Sequence, residues 1–342
     1  MNICVDFGHS GIKAMDENMN VVFIKNLISS EAVPADVDSF PGKFDPMDHC
    51  VVRYKKKEYA IGKHAENCGI VKQNTYRDDV LSEDTKMLIT AAIAYLQKDK
   101  LENVNLFLNL PTSDYRRFKQ EYIDRYEGST LKIETYDYDV GDFVPKAARI
   151  KNLTVKAQGF YSMIDYVFDK EGKERASLRS KYRGLCAVVD IGYFSTDIVI
   201  MDDLKPRNNV AVNIDGMKKV YDNIAEKLKN NPKINLSKKA YEIENYILNN
   251  NCKVDFGTKQ VDISRPVRQE YQGIVDQIVA ELRNIVSTRE VRTFFLTGGG
   301  AKPLAQIFDE EKDFQDKIEI IPQPRYANCR GGIKWGVING AK

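Results

Sequence analysis

Residues 3–13 read Ile3-Cys-Val-Asp-Phe-Gly-His-Ser-Gly-Ile-Lys13, and this stretch decides which fold the sequence predicts. A short apolar run ends at a carboxylate, Asp6, and leads into a turn that contains Gly8 and Gly11. Glycine permits a sharp reversal of the chain, and a second apolar run follows at once. The pattern therefore predicts a β-hairpin whose first strand ends in a carboxylate.

The residues of this hairpin suit the binding of a phosphate. Successive backbone N–H groups around Gly8 and Gly11 can form an anion-binding nest, and Ser10 can add a hydroxyl donor. Lys13 can place a point charge on a phosphate oxygen. Asp6 can hold Mg²⁺ through water, because this ion keeps much of its hydration shell. The alternative is an ordinary hairpin whose aspartate closes an Asx-turn.

The same pattern returns halfway along the chain, in Asp190-Ile-Gly-Tyr-Phe-Ser-Thr-Asp197. Asp190 follows an apolar run as a second carboxylate for Mg²⁺, and Gly192 lets the backbone approach a ligand. Ser195 and Thr196 supply hydroxyl donors. Two such hairpins predict two related lobes that hold a triphosphate with Mg²⁺. This arrangement suits phosphoryl transfer, because that reaction depends on positioning and charge neutralisation.

A third glycine-rich segment, Leu296-Thr-Gly-Gly-Gly-Ala-Lys302, lies near the end of the chain. A predicted strand ends here and a helix begins, so a flat group such as a nucleoside can lie against bare backbone. The candidate residues are Gly298, Gly299, Gly300 and Lys302. The alternative is a strand–helix turn without a ligand, since short glycine motifs often occur by chance.

Composition excludes several classes of protein. The chain has 342 residues, with 51 Lys and Arg against 49 Asp and Glu, and its net charge of +2 gives no electrostatic reason for direct nucleic-acid binding. No apolar run approaches the roughly 20 residues of a membrane span, and the N-terminus lacks a basic signal-peptide region. The six cysteines stand singly, and three histidines are too few for a histidine-rich metal centre. We therefore expect a cytoplasmic protein that makes no membrane contact.

Strand and helix patterns alternate in both halves, which predicts an α/β fold. Ser82 can cap the first helix of this series. The later predicted helices lie at 113–126, 157–168, 218–228, 238–248 and 267–286. The predicted strands outside the hairpins lie at 104–110, 131–136 and 293–296. The proline-containing segment 28–76 interrupts the alternation and predicts an insertion in the first lobe.

In their order along the chain, these motifs resemble those of the actin-like ATPase superfamily. The segments Asp6–Lys13, Asp190–Asp197 and Leu296–Lys302 are similar to its first phosphate loop, second phosphate loop and adenosine loop. Gln158 falls in its connecting helix. Within the superfamily, the chain most resembles bacterial plasmid-segregation actins of the ParM/StbA type. The segments that carry this narrower likeness are Glu58–Lys63, Asn109–Tyr115 and Tyr326–Gly331.

The resemblance implies a two-lobed actin-like fold of duplicated α/β domains, with a nucleotide cleft between the lobes. Lobe I would span 1–165, with an inserted subdomain at about 28–76. Lobe II would span 166–324, with an inserted subdomain at about 216–272, and 325–342 would return to lobe I.

The resemblance also implies catalytic roles. Asp6 and Asp190 would be carboxylates linked to Mg²⁺, and Lys13 would contact phosphate. Gln158 would orient the attacking water. Glutamine is a poor general base, so slow hydrolysis is expected from the monomer. The alternative is that Gln158 only caps the helix that follows it.

Further nucleotide contacts are implied for both lobes, with Gly216 and Lys218 near the base or ribose. The second loop departs from the family pattern, which often has small residues where this chain has Tyr193 and Phe194. The nucleotide-binding residues would be Gly8, Ser10, Gly11, Lys13, Gly192, Ser195, Thr196, Gly216, Lys218, Gly298, Gly299, Gly300 and Lys302.

The function that the resemblance implies is a nucleotide-dependent, filament-forming ATPase that segregates plasmid DNA. ATP, or GTP, would bind with Mg²⁺ and favour polymerisation, and hydrolysis would destabilise the filament. The partners would be further copies of the chain and a DNA-binding adaptor on the plasmid centromere. Two alternatives stay open. One is a small-molecule kinase of the same superfamily, with Asp190 or Asp197 as the base, and the other is a different bacterial actin-like cytoskeletal protein.

Overall fold

The computed structural model describes residues 1–8, 10–37, 43–73, 81–207, 214–232, 234–257 and 259–340. The chain forms two compact units, one made of Met1–Arg175 and Tyr326–Lys342 and the other of Ala176–Arg325. The helix Phe160–Val167 lies within the first unit and spans position 165, where the sequence predicts the end of lobe I; the predicted lobe boundaries stay predictions. None of the helices in the described ranges is long and apolar enough to cross a membrane.

A mixed sheet forms the centre of the first unit. Its strands are β1 (Asn2–Gly8), β2 (Gly11–Asp16), β3 (Val21–Lys25), β4 (Leu27–Ser29), β5 (Val51–Tyr54), β6 (Lys57–Ile61), β7 (Lys72–Gln73), β8 (Leu101–Leu110), β9 (Thr130–Asp137) and β10 (Asp142–Ala157). They lie side by side in the order β3-β2-β1-β8-β10-β9-β5-β6-β4-β7. β1 pairs antiparallel with β2 and parallel with β8, and β10 lies parallel to β8 on its other side.

The first helices of the chain also belong to this unit: α1 (Glu83–Leu96), α2 (Thr112–Tyr126) and α3 (Phe160–Val167). The helix predicted after Ser82 is confirmed as α1. Ser82 is its cap, since the Ser82 hydroxyl accepts a hydrogen bond from the Thr85 N–H at 3.1 Å. α1 is buried along nearly its whole length. Its apolar side chains join those of the sheet in one hydrophobic core.

The segment predicted as an insertion, 28–76, extends the same sheet rather than forming a sheet of its own. β5 pairs antiparallel with β9, and β6 joins β5 to β4. Residues 38–42 and 74–76 of the segment lie outside the described ranges.

The second unit is built in the same way. Its strands are β11 (Leu185–Ile191), β12 (Ser195–Asp202), β13 (Lys205–Pro206), β14 (Ile214–Asp215), β15 (Lys253–Phe256), β16 (Lys259–Asp262), β17 (Thr293–Thr297) and β18 (Ile318–Ile320). The main sheet has the order β13-β12-β11-β17-β18 with β14 beside β12, and β15 pairs with β16. The helices are α4 (Arg179–Tyr182), α5 (Met217–Asn230), α6 (Ala240–Asn249), α7 (Ser264–Ile285) and α8 (Ala301–Glu310). The last helix, α9 (Ala327–Ile338), belongs to the first unit.

Both units repeat one arrangement of strands. In each, a hairpin strand that contains the candidate aspartate has a parallel strand on its other side. In the first unit Asp6 lies opposite Asn109 of β8, and in the second unit Asp190 lies opposite Thr297 of β17. The predicted α/β class with duplicated domains is confirmed.

One stretch differs from the prediction. The helix predicted from Ala157 begins at Phe160, and Ala157 is the last residue of β10. The strand β10 itself is absent from the predicted set. Its buried residues alternate with basic ones, and a bulge between Ile150 and Asn152 shifts the alternation by one position, which hides the period of a strand.

Candidate functional site

The first candidate hairpin is formed by β1 and β2, with Asp6 opposite Lys13 and Gly8 opposite Gly11. Asp6 is buried near the end of its strand, and Lys13 Nζ lies 2.9 Å from Asp6 Oδ2. A buried carboxylate is tolerated when it is paired with a cation. The pair therefore holds the Lys13 ammonium group near the turn that is predicted to bind phosphate.

This turn is narrow, and Gly11 makes it possible. A Cβ at Gly11 would lie 2.6 Å from the Ile24 carbonyl oxygen and 2.6 Å from the Phe23 ring. Any larger residue would displace β3 from the hairpin. Ser10 is partly exposed in the turn, which leaves it in the place of the predicted hydroxyl donor. His9 lies outside the described ranges.

Asn26 braces the same turn, and nothing in the sequence motif points to it. The residue is buried, and its Nδ2 donates to the Gly8 carbonyl oxygen at 2.8 Å. Its backbone N–H donates to the Ser10 carbonyl oxygen at 3.4 Å. Both bonds fix the backbone of the turn. A single asparagine between two apolar strand segments is the sequence signal that could identify it.

Gln158 lies in the turn between β10 and α3 and reaches the first hairpin. Its Nε2 donates to Asp6 Oδ1 at 3.3 Å, and its backbone N–H donates to the Leu110 carbonyl oxygen at 2.7 Å. The cap of α3 is Gly159, with a φ of 84°, so the alternative reading of Gln158 as the cap is wrong. Asp6, Lys13 and Gln158 thus converge. With Nε2 directed to Asp6, the amide oxygen Oε1 can accept a hydrogen bond from water.

The second candidate hairpin is formed by β11 and β12, with Asp190 opposite Asp197. Both carboxylates are buried. The N–H of Gly192 donates to the Ser195 carbonyl oxygen at 2.9 Å and closes the turn. A Cβ at Gly192 would lie 2.7 Å from that oxygen, so this turn also depends on glycine.

The start of α5 docks on this second turn. Three successive N–H groups donate to the three carbonyls of the turn: Gly216 to Phe194 at 2.9 Å, Met217 to Gly192 at 3.1 Å and Lys218 to Tyr193 at 2.6 Å. A Cβ at Gly216 would lie 2.6 Å from the Ser195 nitrogen, so the close approach requires glycine. The Tyr193 side chain packs against the core of the second unit. The bulky residues of this loop are therefore compatible with a tight turn.

The two hydroxyls of the second hairpin differ. Thr196 is fully buried, and its Oγ1 donates to the Asp215 carbonyl oxygen at 3.0 Å. This hydroxyl holds β14 beside β12, although the sequence pattern suggested a phosphate donor. Ser195 is partly exposed, which suits the predicted donor role better.

The glycines of the third motif have different surroundings. A Cβ at Gly298 would lie 2.4 Å from the Ile191 carbonyl oxygen and 2.6 Å from Asp190 Oδ1, and φ there is +83°. A Cβ at Gly300 would lie 2.4 Å from Ile191 Cγ2. A Cβ at Gly299 would meet no atom within 4 Å, and Gly299 is exposed. Packing explains Gly298 and Gly300, so Gly299 is the candidate for a ligand lying against bare backbone.

Two family models match the chain. The family described as "Actin like proteins N terminal domain" matches residues 4–160, and the one described as "Archaeal actin homologue MreB-like, C-terminal" matches residues 188–310. The first range contains Asp6, Lys13 and Gln158, and the second contains Asp190 and the glycine run. Both halves of the chain therefore match models of actin-like proteins.

Solved structures of actin-like proteins share its fold. A 15-stranded ParM filament from Clostridium botulinum has a TM-score of 0.79 at 19% identity, over 98% of each chain. An archaeal actin homologue in complex with ADP has a TM-score of 0.75 at 15% identity, over 98% of each chain. ParM from Bacillus thuringiensis with AMPPNP has a TM-score of 0.68 at 15% identity, also over 98% of each chain. No curated protein matches the sequence significantly.

In this actin-like chain, α9 holds the turn that carries Gln158. Asn328 Oδ1 accepts hydrogen bonds from the Gly159 N–H at 3.2 Å and from the Ser162 hydroxyl at 2.8 Å. These bonds tie the start of α3 to α9. The sequence marks Tyr326–Gly331 only as a family likeness, and the structure shows that this segment supports a candidate catalytic residue.

The two predicted lysine contacts of the actin-like site stay predictions. Lys218 pairs with Asp222 one helical turn along α5, and its Nζ lies 5.7 Å from the centre of the Phe194 ring. Lys302 is exposed in the first turn of α8.

The carboxylates of the site suit Mg²⁺ that arrives with a nucleotide. Within the described ranges, no group of three or more His, Cys, Asp or Glu side chains is placed to hold a metal ion alone. Mg²⁺ usually binds one or two carboxylates together with phosphate oxygens and water. Asp6 and Asp190, as single carboxylates in hairpin strands, fit that mode. Burial raises the pKa of the nearby Cys4 thiol, so this cysteine is a packing residue.

Proposed function

We propose that this protein is a nucleotide-dependent, filament-forming ATPase of the ParM type, which binds and hydrolyses ATP with Mg²⁺. The observation that supports this most is the convergence of Asp6, Lys13 and Gln158 beside a glycine turn. These residues supply a carboxylate, a cation and a water-orienting amide. The second hairpin repeats the carboxylate and the turn with Asp190 and Gly192.

The chemistry follows from these groups. The backbone N–H groups of the first turn and the Lys13 ammonium bind phosphate oxygens, and we assign further phosphate contacts to the second turn. Gln158 accepts a hydrogen bond from the attacking water and orients it, without removing its proton efficiently. Mg²⁺, held through water by Asp6 and Asp190, would neutralise charge on the phosphates. Hydrolysis is consequently slow in the monomer.

Self-association is the second part of the proposal. The fold matches that of a 15-stranded ParM filament, which supports polymerisation of this chain. ATP binding would favour the filament, and hydrolysis would destabilise it. In the cytoplasm, the filament would move plasmid DNA through a DNA-binding adaptor, since a net charge of +2 does not favour direct DNA binding.

Light scattering and pelleting of the purified protein test this function. The samples contain Mg-ATP, Mg-GTP, Mg-ADP or no nucleotide, and phosphate release is followed in parallel. We expect scattering to rise only with a triphosphate, above a critical protein concentration, and to decay as phosphate appears. The comparison of ATP with GTP identifies the preferred nucleotide.

A flat scattering signal with nucleotide still bound would contradict the filament function. It would favour the small-molecule kinase instead, and a screen of hydroxyl substrates would follow. DNA added with and without a candidate adaptor separates the plasmid role from polymerisation alone, since the proposal expects DNA to co-pellet only when the adaptor is present.

A further inference from the structure

Asn109 occupies a special place beside the first hairpin. It lies one residue before the end of β8, directly opposite Asp6 on the parallel strand β1. Residues opposite each other on neighbouring strands point to the same face of a sheet. The next residue, Leu110, accepts the hydrogen bond from the Gln158 backbone. Asn109 is therefore adjacent to two of the candidate catalytic residues.

The side chain of Asn109 is buried without a protein partner. Its exposed fraction is 0%, and neither its Oδ1 nor its Nδ2 forms a hydrogen bond with any described residue. Buried amides in native proteins nearly always have partners, so an exception needs a reason. Buried polar groups without partners concentrate at functional sites, where function outweighs the cost in stability.

Two comparable residues in the chain have hydrogen-bond partners, so the fold can provide partners for buried polar side chains at such strand positions. Asn105, also on β8, donates from Nδ2 to Asn2 Oδ1 at 2.9 Å and accepts from Asn152 Nδ2 at 2.8 Å. In the second unit, Thr297 stands opposite Asp190 as Asn109 stands opposite Asp6. Its hydroxyl donates to the Pro324 carbonyl oxygen at 3.2 Å.

The hydrogen-bond donors of Asp6 indicate a role for the Asn109 amide. The buried Asp6 carboxylate has two donors, Lys13 Nζ on Oδ2 and Gln158 Nε2 on Oδ1. If Lys13 turns to a phosphate, Oδ2 loses its donor, and a buried carboxylate without donors is strongly disfavoured. Adjacent strands lie about 4.8 Å apart, so the Asn109 amide can reach Asp6 by side-chain rotation alone.

We propose that Asn109 is a positioning residue, whose amide donates to the Asp6 carboxylate when Lys13 engages the nucleotide phosphates. This exchange of donors keeps the Asp6 carboxylate oriented. It thereby also keeps the Gln158 amide in place, because that amide donates to the same carboxylate. This inference rests on the proposed ATPase function, because the phosphates are what draw Lys13 away. It explains why the amide has no protein partner while Lys13 pairs with Asp6.

The test compares Asn109→Leu with Asn105→Leu, two substitutions by a residue of similar size on one strand. Asn109→Leu removes an amide that has no partner, so its Tm should equal or exceed that of the wild type. Its kcat for ATP hydrolysis should fall about tenfold, with KM within about twofold of the wild type. Asn105→Leu breaks two hydrogen bonds, so its Tm should fall while its kcat stays unchanged.

Two results would overturn the assignment. The first is hydrolysis by Asn109→Leu at the wild-type rate. The second is a loss of Tm in Asn109→Leu as large as that in Asn105→Leu, which would show that the amide is structural. A wild-type protein that binds but does not hydrolyse ATP would instead overturn the proposed function, and this outcome is distinct because it does not depend on either variant.

Discussion

The carbonyl oxygen of Tyr161 lies only 1.6 Å from the point where a Cβ on Gly331 would stand. α9 and α3 therefore touch through their backbones at this place. α3 begins directly after the turn that carries Gln158, so the contact fixes the position of the Gln158 backbone. Gly331 therefore belongs to the support of the candidate site.

Gly331→Ala should destabilise the first unit. The added methyl group overlaps main-chain atoms that cannot rotate away, so we expect a loss of about 3 kcal/mol in the free energy of unfolding. Gly273→Ala is the matched control, because a Cβ there meets no atom within 4 Å in an exposed part of α7. That variant should gain about 0.5–1 kcal/mol. Denaturant unfolding measures both, and equal stabilities would contradict the packing argument.

Gln158→Ala should separate binding from hydrolysis. The substitution removes the amide that donates to Asp6 and that we propose to orient the attacking water, so the rate of ATP hydrolysis should fall about 10–100-fold. Nucleotide affinity should stay within about threefold, since Lys13 and the turn are intact. Gln120→Ala removes the same kind of bond, Gln120 to Asp124 at 2.8 Å, on the exposed face of α2. A comparable loss of hydrolysis in this control would argue against a specific role for Gln158.

Both hairpins could be predicted from the sequence because their signals are local. An apolar run, a carboxylate and a glycine within a few residues determine a strand, its end and its reversal. The strand β10 could not be predicted in this way. Its basic residues, such as Lys151, and its bulge between Ile150 and Asn152 hide the alternation, and its pairing with β8 is a tertiary contact that local sequence does not show.

The sequence identifies candidate residues for the site, but it does not show the contacts that those residues make. Nothing near Thr196 in the sequence shows that its hydroxyl donates to Asp215, because that contact forms only when β14 pairs with β12. Likewise, the roles of Asn26 and Asn328 depend on partners far along the chain or across a turn. Sequence patterns identify types of donor, and tertiary pairing decides which donors are already used.

The glycine run offers a test within three adjacent residues. Gly298→Ala and Gly300→Ala should destabilise the second unit, because their Cβ atoms would lie 2.4 Å from atoms of Ile191. Gly299→Ala should fold normally, because the space around it is open. If a nucleoside lies on this backbone, Gly299→Ala should weaken nucleotide binding about 10-fold, as measured by titration of a fluorescent ATP analogue. Unchanged affinity would remove Gly299 from the site.

Asp190→Ala should abolish hydrolysis while the protein stays folded. The carboxylate is one of the two proposed Mg²⁺-linked groups, so its loss should lower the hydrolysis rate at least about 100-fold. Circular dichroism checks the fold. Asp202→Ala, on the neighbouring strand and paired with exposed Arg207, is the control that should hydrolyse normally. Normal turnover by Asp190→Ala would refute the two-carboxylate arrangement.

His49 should make the first unit sensitive to mild acid. Burial lowers the pKa of His49 from its ordinary value of 6.5, and the like charge of His64 lowers it further. Below about pH 6.5 the unfolded chain binds a proton that the folded chain resists, so stability falls as the pH falls. His49→Phe keeps the stacked ring contact with Phe44, whose centroid lies 4.8 Å away.

The measurement is Tm from about pH 7.5 to about pH 5.5 for the wild type and His49→Phe. The other titrating groups are common to both proteins, so the difference between the two curves reports the titration of His49 together with its interaction with His64. The wild type should lose more Tm over this interval than the variant does. Parallel curves would mean that the His49 pKa is the same in the folded and unfolded chains, and the burial of this ring would then have no electrostatic consequence.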